Sequence, residues 1–143
     1  MYDKNDFYIS TDKSKMDIET IHQYLSEESY WAKGVPKEIV EKSVANSFCF
    51  GVFYQDKQVG FAKVITDFTT IAYLGDVFIL DEFRGLGLSK LLMENIMNHP
   101  ELQGLRRWIL LTADAHELYK KFGWNNIKDP ARWMEVHTKN VYQ

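Results

Sequence analysis

At 143 residues with a 45% apolar share, the chain has room for one ordinary domain, and its four Trp, eight Tyr and nine Phe supply the bulk for a core. A formal charge of −3 with no run of Lys or Arg excludes the electrostatic footprint of a nucleic-acid binder, and no stretch approaches the roughly 20 apolar residues of a membrane span. The lone Cys49 cannot close an internal disulfide and the polar opening MYDKNDFYIS lacks an apolar signal core, so the expected setting is a reducing, cytoplasmic one without nucleic acid or membrane as partner.

In chain order, Phe7 to Ser10 reads as a short first strand, and Ile18, Ile21, His22 and Leu25 fall on one face of a helix that opens near Asp17. Pro36, suited to a first helical turn, opens a second helix with Ile39, Val40 and Val44 on one side. Phe48 to Tyr54 and Val59 to Ile65 are strand-like runs joined by the polar Gln55-Asp56-Lys57-Gln58, a hairpin pattern. Cys49, within the first of these apolar runs, reads as a buried structural thiol rather than a nucleophile. A third run, Ile71 to Leu80, is expected to pair beside them.

The segment Arg84-Gly85-Leu86-Gly87-Leu88-Ser89 then leads into Leu88, Leu91, Leu92 and Ile96 at helical spacing, ending before Pro100. Trp108 to Leu111 is continuously apolar, as expected of an interior strand, and Asp114 with Glu117 forms a capping-box pattern for a last helix that stops at Gly123. Ala115, Leu118, Tyr119 and Phe122 share its apolar stripe, and two closing strands are expected around residues 124–127 and 132–138. No repeat or linker divides the chain, so residues 1–143 are read as a single domain of helices on a mixed sheet, an α/β or α+β fold.

The glycine turn carries the most functional information. Small residues at Gly85, Gly87 and Ser89 allow close approach of a ligand to the backbone, and the following helix aims unpaired N–H groups at an anion such as a pyrophosphate. Arg84 and Lys90 flank the turn with positive charge. The turn lacks the Gly-Lys-Ser/Thr ending of a Walker A loop and the complete G-x-G-x-x-G of a dinucleotide fold. On these residues alone, a phosphate cradle and a plain packing corner both remain open.

Arg84, Gly87 and Ser89 match the signature Q/R-x-x-G-x-G/A with Ser in the final small position, and Leu118-Tyr119-Lys120-Lys121-Phe122-Gly123-Trp124 resembles L-Y-x-x-x-G-F. With both motifs in order, the chain resembles the GNAT (Gcn5-related N-acetyltransferase) superfamily over about residues 45 to 137, and DAHELYKKFGW with DPARWMEVH resembles an uncharacterised bacterial branch of it. The resemblance implies a mixed, mostly antiparallel central sheet of six to seven strands flanked by four helices. It also implies acetyl-CoA as co-substrate, a metal-free N-acetyl transfer to a primary amine through a ternary complex, and a possible homodimer built on C-terminal strands.

Carried over residue by residue, the likeness assigns acetyl-CoA binding to Phe78, Ile79, Leu80, Arg84, Gly85, Leu86, Gly87, Leu88, Ser89, Lys90, Thr112 and Tyr119, with Thr112 standing where the family often has Asn. A bulge in the strand before the turn is implied to free main-chain groups of Phe78, Ile79 and Leu80 for pantetheine and the thioester oxygen. Tyr119 corresponds to the tyrosine that protonates the departing CoA thiolate; its blander reading is a core tyrosine bonded to a backbone carbonyl.

Asp76 interrupts an apolar strand and is the leading base or acceptor anchor, against a structural bond to the neighbouring strand. Tyr30, Trp31 and Asp67 are candidate acceptor contacts, with packing and surface roles as the alternatives. His22, His99, His116 and His137 show no metal-ligand spacing, so no metal is expected. A small-molecule amine is the preferred acceptor; a peptide acceptor or a non-catalytic acyl-CoA-binding module are the other readings.

Overall fold

The computed structural model describes residues 2–142. Its scaffold begins with the hairpin of β2 (Phe48–Tyr54) and β3 (Lys57–Thr66), where Gln55 adopts a left-handed φ of 53° at the turn. Apolar residues on both faces of these strands make them interior, and both faces are covered by helices. β1 (Phe7–Ser10) adds to β2 and β4 (Ile71–Ile79) adds to β3, all antiparallel, while β5 (Arg107–Leu110) joins β4 in parallel. The sheet order is β1-β2-β3-β4-β5.

One face is covered by α1 (Ile18–Gln23) and α2 (Lys37–Ala45), whose Ile21, Val40 and Val44 pack with Cys49, Phe61 and Phe78. Asp17 caps α1 through the Thr20 amide, and Pro36 sits at the N-cap of α2, one position before its first helical residue. The other face takes α3 (Leu88–Met97) and Tyr119 of α4 (His116–Lys120) against Phe50, Val52, Ala62, Val64 and Leu74. No described helix is long and apolar enough to cross a membrane.

The α/β expectation holds, with four α-helices on a mostly antiparallel mixed sheet, but the sheet has five strands rather than six or seven. Residues 124–127 and 132–138 form no strand among the described residues, because neither finds a ladder partner in its own chain. As a result the apolar Trp108 to Leu111 run is an edge strand instead of an interior one. The helix cap expected from Asp114 is not formed: α4 has Ala115 at its N-cap with no side-chain cap bond, and Thr112 Oγ1 accepts from the Asp114 and Ala115 amides just ahead of the helix, at 3.3 and 3.0 Å. Gly123 turns the chain with φ 90°, as expected of a residue closing the helix.

Candidate active site

The centre of the site is a defect in β4. Between Lys63↔Gly75 and Phe61↔Phe78, β4 spends one residue more than β3, and Asp76 takes up the excess with a φ of 52°. The extra residue reverses which side of the sheet each later side chain meets. Ala72 and Leu74 therefore join the α3 core, whereas Phe78 joins the α1–α2 core. The β4–β5 ladder ends at Leu74↔Leu110, so from Gly75 onward the β5-facing edge of β4 is unpaired among the described residues and the two strands part. This is the bulged, splayed strand that the resemblance implied, and it leaves Val77 to Leu80 with main-chain groups open on that side.

An open cavity of about 890 Å³ occupies the fork and draws together Asp76, Thr112, Tyr119, Tyr30 and Trp31, with His137 to Tyr142 forming a further wall. Tyr30 and Trp31 are brought there by the loop after a π-helical turn (Tyr24–Glu28). The buried Ser29 clamps this loop, donating to the Leu25 carbonyl at 2.7 Å and accepting from the Ala32 amide at 3.1 Å. The two aromatic rings meet edge-on at 5.0 Å and remain 61% and 43% exposed, so they line the cavity rather than fill the core. The Tyr30 hydroxyl accepts from the Ala113 amide at 3.0 Å, tying this loop to the chain beyond β5.

Asp76 is mostly buried and fully engaged. Lys63 Nζ lies 2.8 Å from one carboxylate oxygen, and Trp31 Nε1 donates to the other at 2.7 Å. Lys63 also donates to Ser43 Oγ at 3.0 Å. Lys63 was not singled out from the sequence, although a lysine inside the apolar Val59 to Ile65 run opposite an acid inside another apolar strand is a legible signal of a buried pair.

Tyr119 is 8% exposed, and its ring packs against Trp124 at 6.0 Å. Its hydroxyl makes no hydrogen bond to a described residue, so the backbone-carbonyl bond of the blander reading is absent. Burial, aided by the nearby Tyr30 and Asp114, pushes its phenol up to about 12. The side chain stands at the boundary between the fork cavity and a groove along the outer side of β5.

Further along β4, Leu80 leads into the glycine turn. Gly85 and Gly87 have φ of 80° and 81°, the left-handed region that L side chains rarely adopt. A Cβ would meet nothing within 4 Å at Gly85, and at Gly87 only Lys4 Cδ at 3.9 Å, so the space above the turn is open. The first intrahelical bond of α3 runs from Leu91 to Gly87, leaving the amides of Leu88, Ser89 and Lys90 directed out of the helix end. These features fit a pyrophosphate.

The Arg84 guanidinium is occupied elsewhere, bonding the Ile79 carbonyl at 3.1 Å, the Tyr24 hydroxyl at 2.9 Å and Asp81 at 2.8 Å. It braces the turn against β4 and the first helix.

Asp67 does not reach the fork. It caps the β3–β4 turn, accepting from the Thr69, Thr70 and Ile71 amides and from Thr70 Oγ1, and these bonds hold its carboxyl far below the usual carboxylate range. Cys49 is 1% exposed, and burial raises its thiol to about 11, which suits the structural reading.

The family model for acetyltransferases of the GNAT family matches residues 17–124. A Gibberella zeae protein named "Putative acetyltransferase" is 31% identical over 140 residues, covering 82% of this chain and 78% of its own. A crystal structure from Xanthomonas campestris pv. campestris, described as belonging to the GNAT family, superposes with a TM-score of 0.93 at 48% identity, over 95% of this chain and 96% of that one. A Clostridium acetobutylicum structure described as an acetyltransferase with acetyl-CoA shares the fold at a TM-score of 0.64 and 15% identity, over 92% of this chain and 94% of that one. The splayed sheet, the glycine turn and these likenesses agree: the chain belongs to the acetyltransferase (GNAT) family and is an N-acetyltransferase.

Proposed function

We infer that this acetyltransferase moves the acetyl group of acetyl-CoA to a primary amine of a small molecule, by direct attack within a ternary complex. Support for acetyl-CoA comes from the glycine turn, where the open space above Gly85 and Gly87 and the outward amides of Leu88, Ser89 and Lys90 suit the pyrophosphate. Lys90 adds charge there, while Arg84 contributes by bracing the turn. The unpaired edge of β4 through Phe78, Ile79 and Leu80 suits the pantetheine arm, and Thr112 contributes from the opposite branch of the fork.

The observation that carries the reading is the Tyr119 phenol, protonated at neutral pH, without an acceptor among the described residues and in the wall of the fork. In the transfer, the acceptor's ammonium first gives a proton to solvent, and the neutral amine attacks the thioester carbon while a main-chain N–H stabilises the developing oxyanion. The nitrogen releases a second proton to solvent as the intermediate collapses. When the C–S bond breaks, the Tyr119 hydroxyl gives its proton to the departing thiolate, and solvent restores it. Asp76 meets the acceptor's ammonium group. With its oxygens held by Lys63 and Trp31, it acts as an anchor, and taking the amine proton itself requires Lys63 to move away. Tyr30 and Trp31 form the acceptor wall. The compact loop that carries them favours a small acceptor over a protein surface.

The test is Tyr119→Phe, measured by CoA release with an accepted amine and by acetyl-CoA titration. Expected is a loss of kcat of about 10² to 10⁴-fold, the usual contribution of a positioned acid, with acetyl-CoA affinity unchanged. An unaltered kcat removes Tyr119 from the chemistry, and acetyl-CoA binding without turnover on any amine would make the chain a binding module instead.

A further inference from the structure

Charge is unevenly spread around the fork cavity. Lys33, Lys63 and Lys139 line it against two carboxylates, Asp76 and Asp114, with His137 beside them. Lys63 and Asp76 pair at 2.8 Å and cancel. Asp114 belongs to the Tyr119 end, where its charge helps to raise the phenol. Lys33 and Lys139 are then the charges left on the remaining wall, and neither has a carboxylate within ion-pair distance among the described residues. In a chain with a formal charge of −3, two unbalanced cations at one cavity run against the balance of the whole molecule.

The two lysines come from segments that the fold brings together. Lys33 follows Trp31 in the loop that Ser29 clamps, and Lys139 opens the turn of residues 139–142. A Cβ added at Gly34 would lie 3.4 Å from the Tyr142 carbonyl oxygen, so that loop and that turn are in contact. Lys33 is also two residues from Trp31, the donor to Asp76, which puts its Cα within roughly 7 Å of the Trp31 Cα. A small molecule whose ammonium faces Asp76 is therefore within reach of both lysine side chains. Each is exposed and carries a mobile point charge suited to a carboxylate or a phosphate.

We propose that the acceptor is a small primary amine that also carries an anionic group, a carboxylate or a phosphate, held by Lys33 and Lys139 while its ammonium faces Asp76. The inference rests on the reading of the fork as the acceptor site. Opposite charges at the two ends of the acceptor fix its direction across Trp31, so that the amine and not the far end meets the thioester. The same lysines act against the wrong substrate. A diamine or polyamine would bring its second ammonium to the wall that Lys33 and Lys139 occupy, and repulsion there discriminates against it.

The experiment measures kcat/KM by CoA release for ethanolamine, O-phosphoethanolamine, β-alanine and 1,3-diaminopropane, short primary amines that differ in the group at the far end. It is repeated on Lys33→Ala/Lys139→Ala; both side chains are exposed, so the variant keeps its fold, as circular dichroism will verify. Expected is a kcat/KM about tenfold or more higher for an anionic amine than for ethanolamine, expressed in KM, with 1,3-diaminopropane the poorest. O-phosphoethanolamine ahead of β-alanine assigns a phosphate, and the reverse order a carboxylate. In the variant the preference falls to within about twofold, and in the wild type it shrinks as salt rises. Ethanolamine or the diamine matching both anionic amines overturns the proposal while acetyl transfer to an amine still stands. A variant that keeps the preference overturns it as well. So does turnover of none of these amines, and the same result across a broad amine panel removes the transfer reading itself.

Discussion

At the scale of single residues, the site rests on two side chains held in opposite ways. Tyr119 is buried and its hydroxyl has no hydrogen-bond partner among the described residues, whereas Asp76 is mostly buried with both carboxylate oxygens engaged. Because the Tyr119 phenol is pushed up to about 12, the rate should show no alkaline fall attributable to its ionisation below about pH 11. A pH–rate profile with saturating substrates tests this, and a fall centred near the ordinary tyrosine value would contradict it. Asp76→Asn removes the anchoring charge while keeping an acceptor for Trp31. It should raise the acceptor's KM about tenfold, the scale of one lost charge-assisted hydrogen bond, and leave kcat within about threefold. A kcat loss of about 10²-fold or more with little change in KM would instead make Asp76 the base.

At the scale of elements, the bulge and the glycine turn are the two places where β4 departs from regular strand and gains its use. Asp76→Ala leaves Lys63 half-buried beside an empty position and keeps the left-handed φ without a side chain suited to it. Urea unfolding should show a loss of about 2–3 kcal/mol, toward the low end for a broken buried pair. Gly87→Ala should cost about 1 kcal/mol for its φ of 81° and weaken acetyl-CoA binding, since the new methyl group enters the space over the turn.

The strands before the turn were legible because their apolar residues alternate, or run unbroken where both faces are covered, and helices α1 to α3 because their apolar residues fall on one face. Tyr119 and the glycines were legible through their motifs. The closing strands were misread because strand composition at residues 132–138 says nothing about the path the segment takes, and it does not lie along the free edge of β5. The Asp114 cap was misread because the helix begins one residue later than the pattern suggests, with Ala115 at its N-cap, and Thr112 instead closes the turn ahead of it. The reach of Asp67 was misread because position in the chain does not reveal that the turn would claim its carboxylate.

At the scale of the whole molecule, two cores on opposite faces of one sheet hold the fork open between them. Both contain groups that resist ionisation. The Cys49 thiol rises from 9.0 to about 11 and the Tyr119 phenol from 10.0 to about 12, each chiefly through burial. Above pH 9 the unfolded chain releases protons that the folded chain retains, so stability is full below that point and falls as pH climbs through about 9 to 12. Thermal melts should show Tm dropping across this window, and Cys49→Ala should flatten its lower part. A Tm constant to pH 11 would contradict the burial of both groups.

The central claim concerns the ligand of the glycine turn and the fork, and isothermal titration of the purified protein with acetyl-CoA, alongside ATP and NAD, addresses it most directly. Expected is saturable binding of acetyl-CoA in the micromolar range with no comparable binding of the two nucleotides. Absence of acetyl-CoA binding, or tighter binding of ATP or NAD, would contradict it and return the turn at Gly85 and Gly87 to a packing corner or to a nucleotide site.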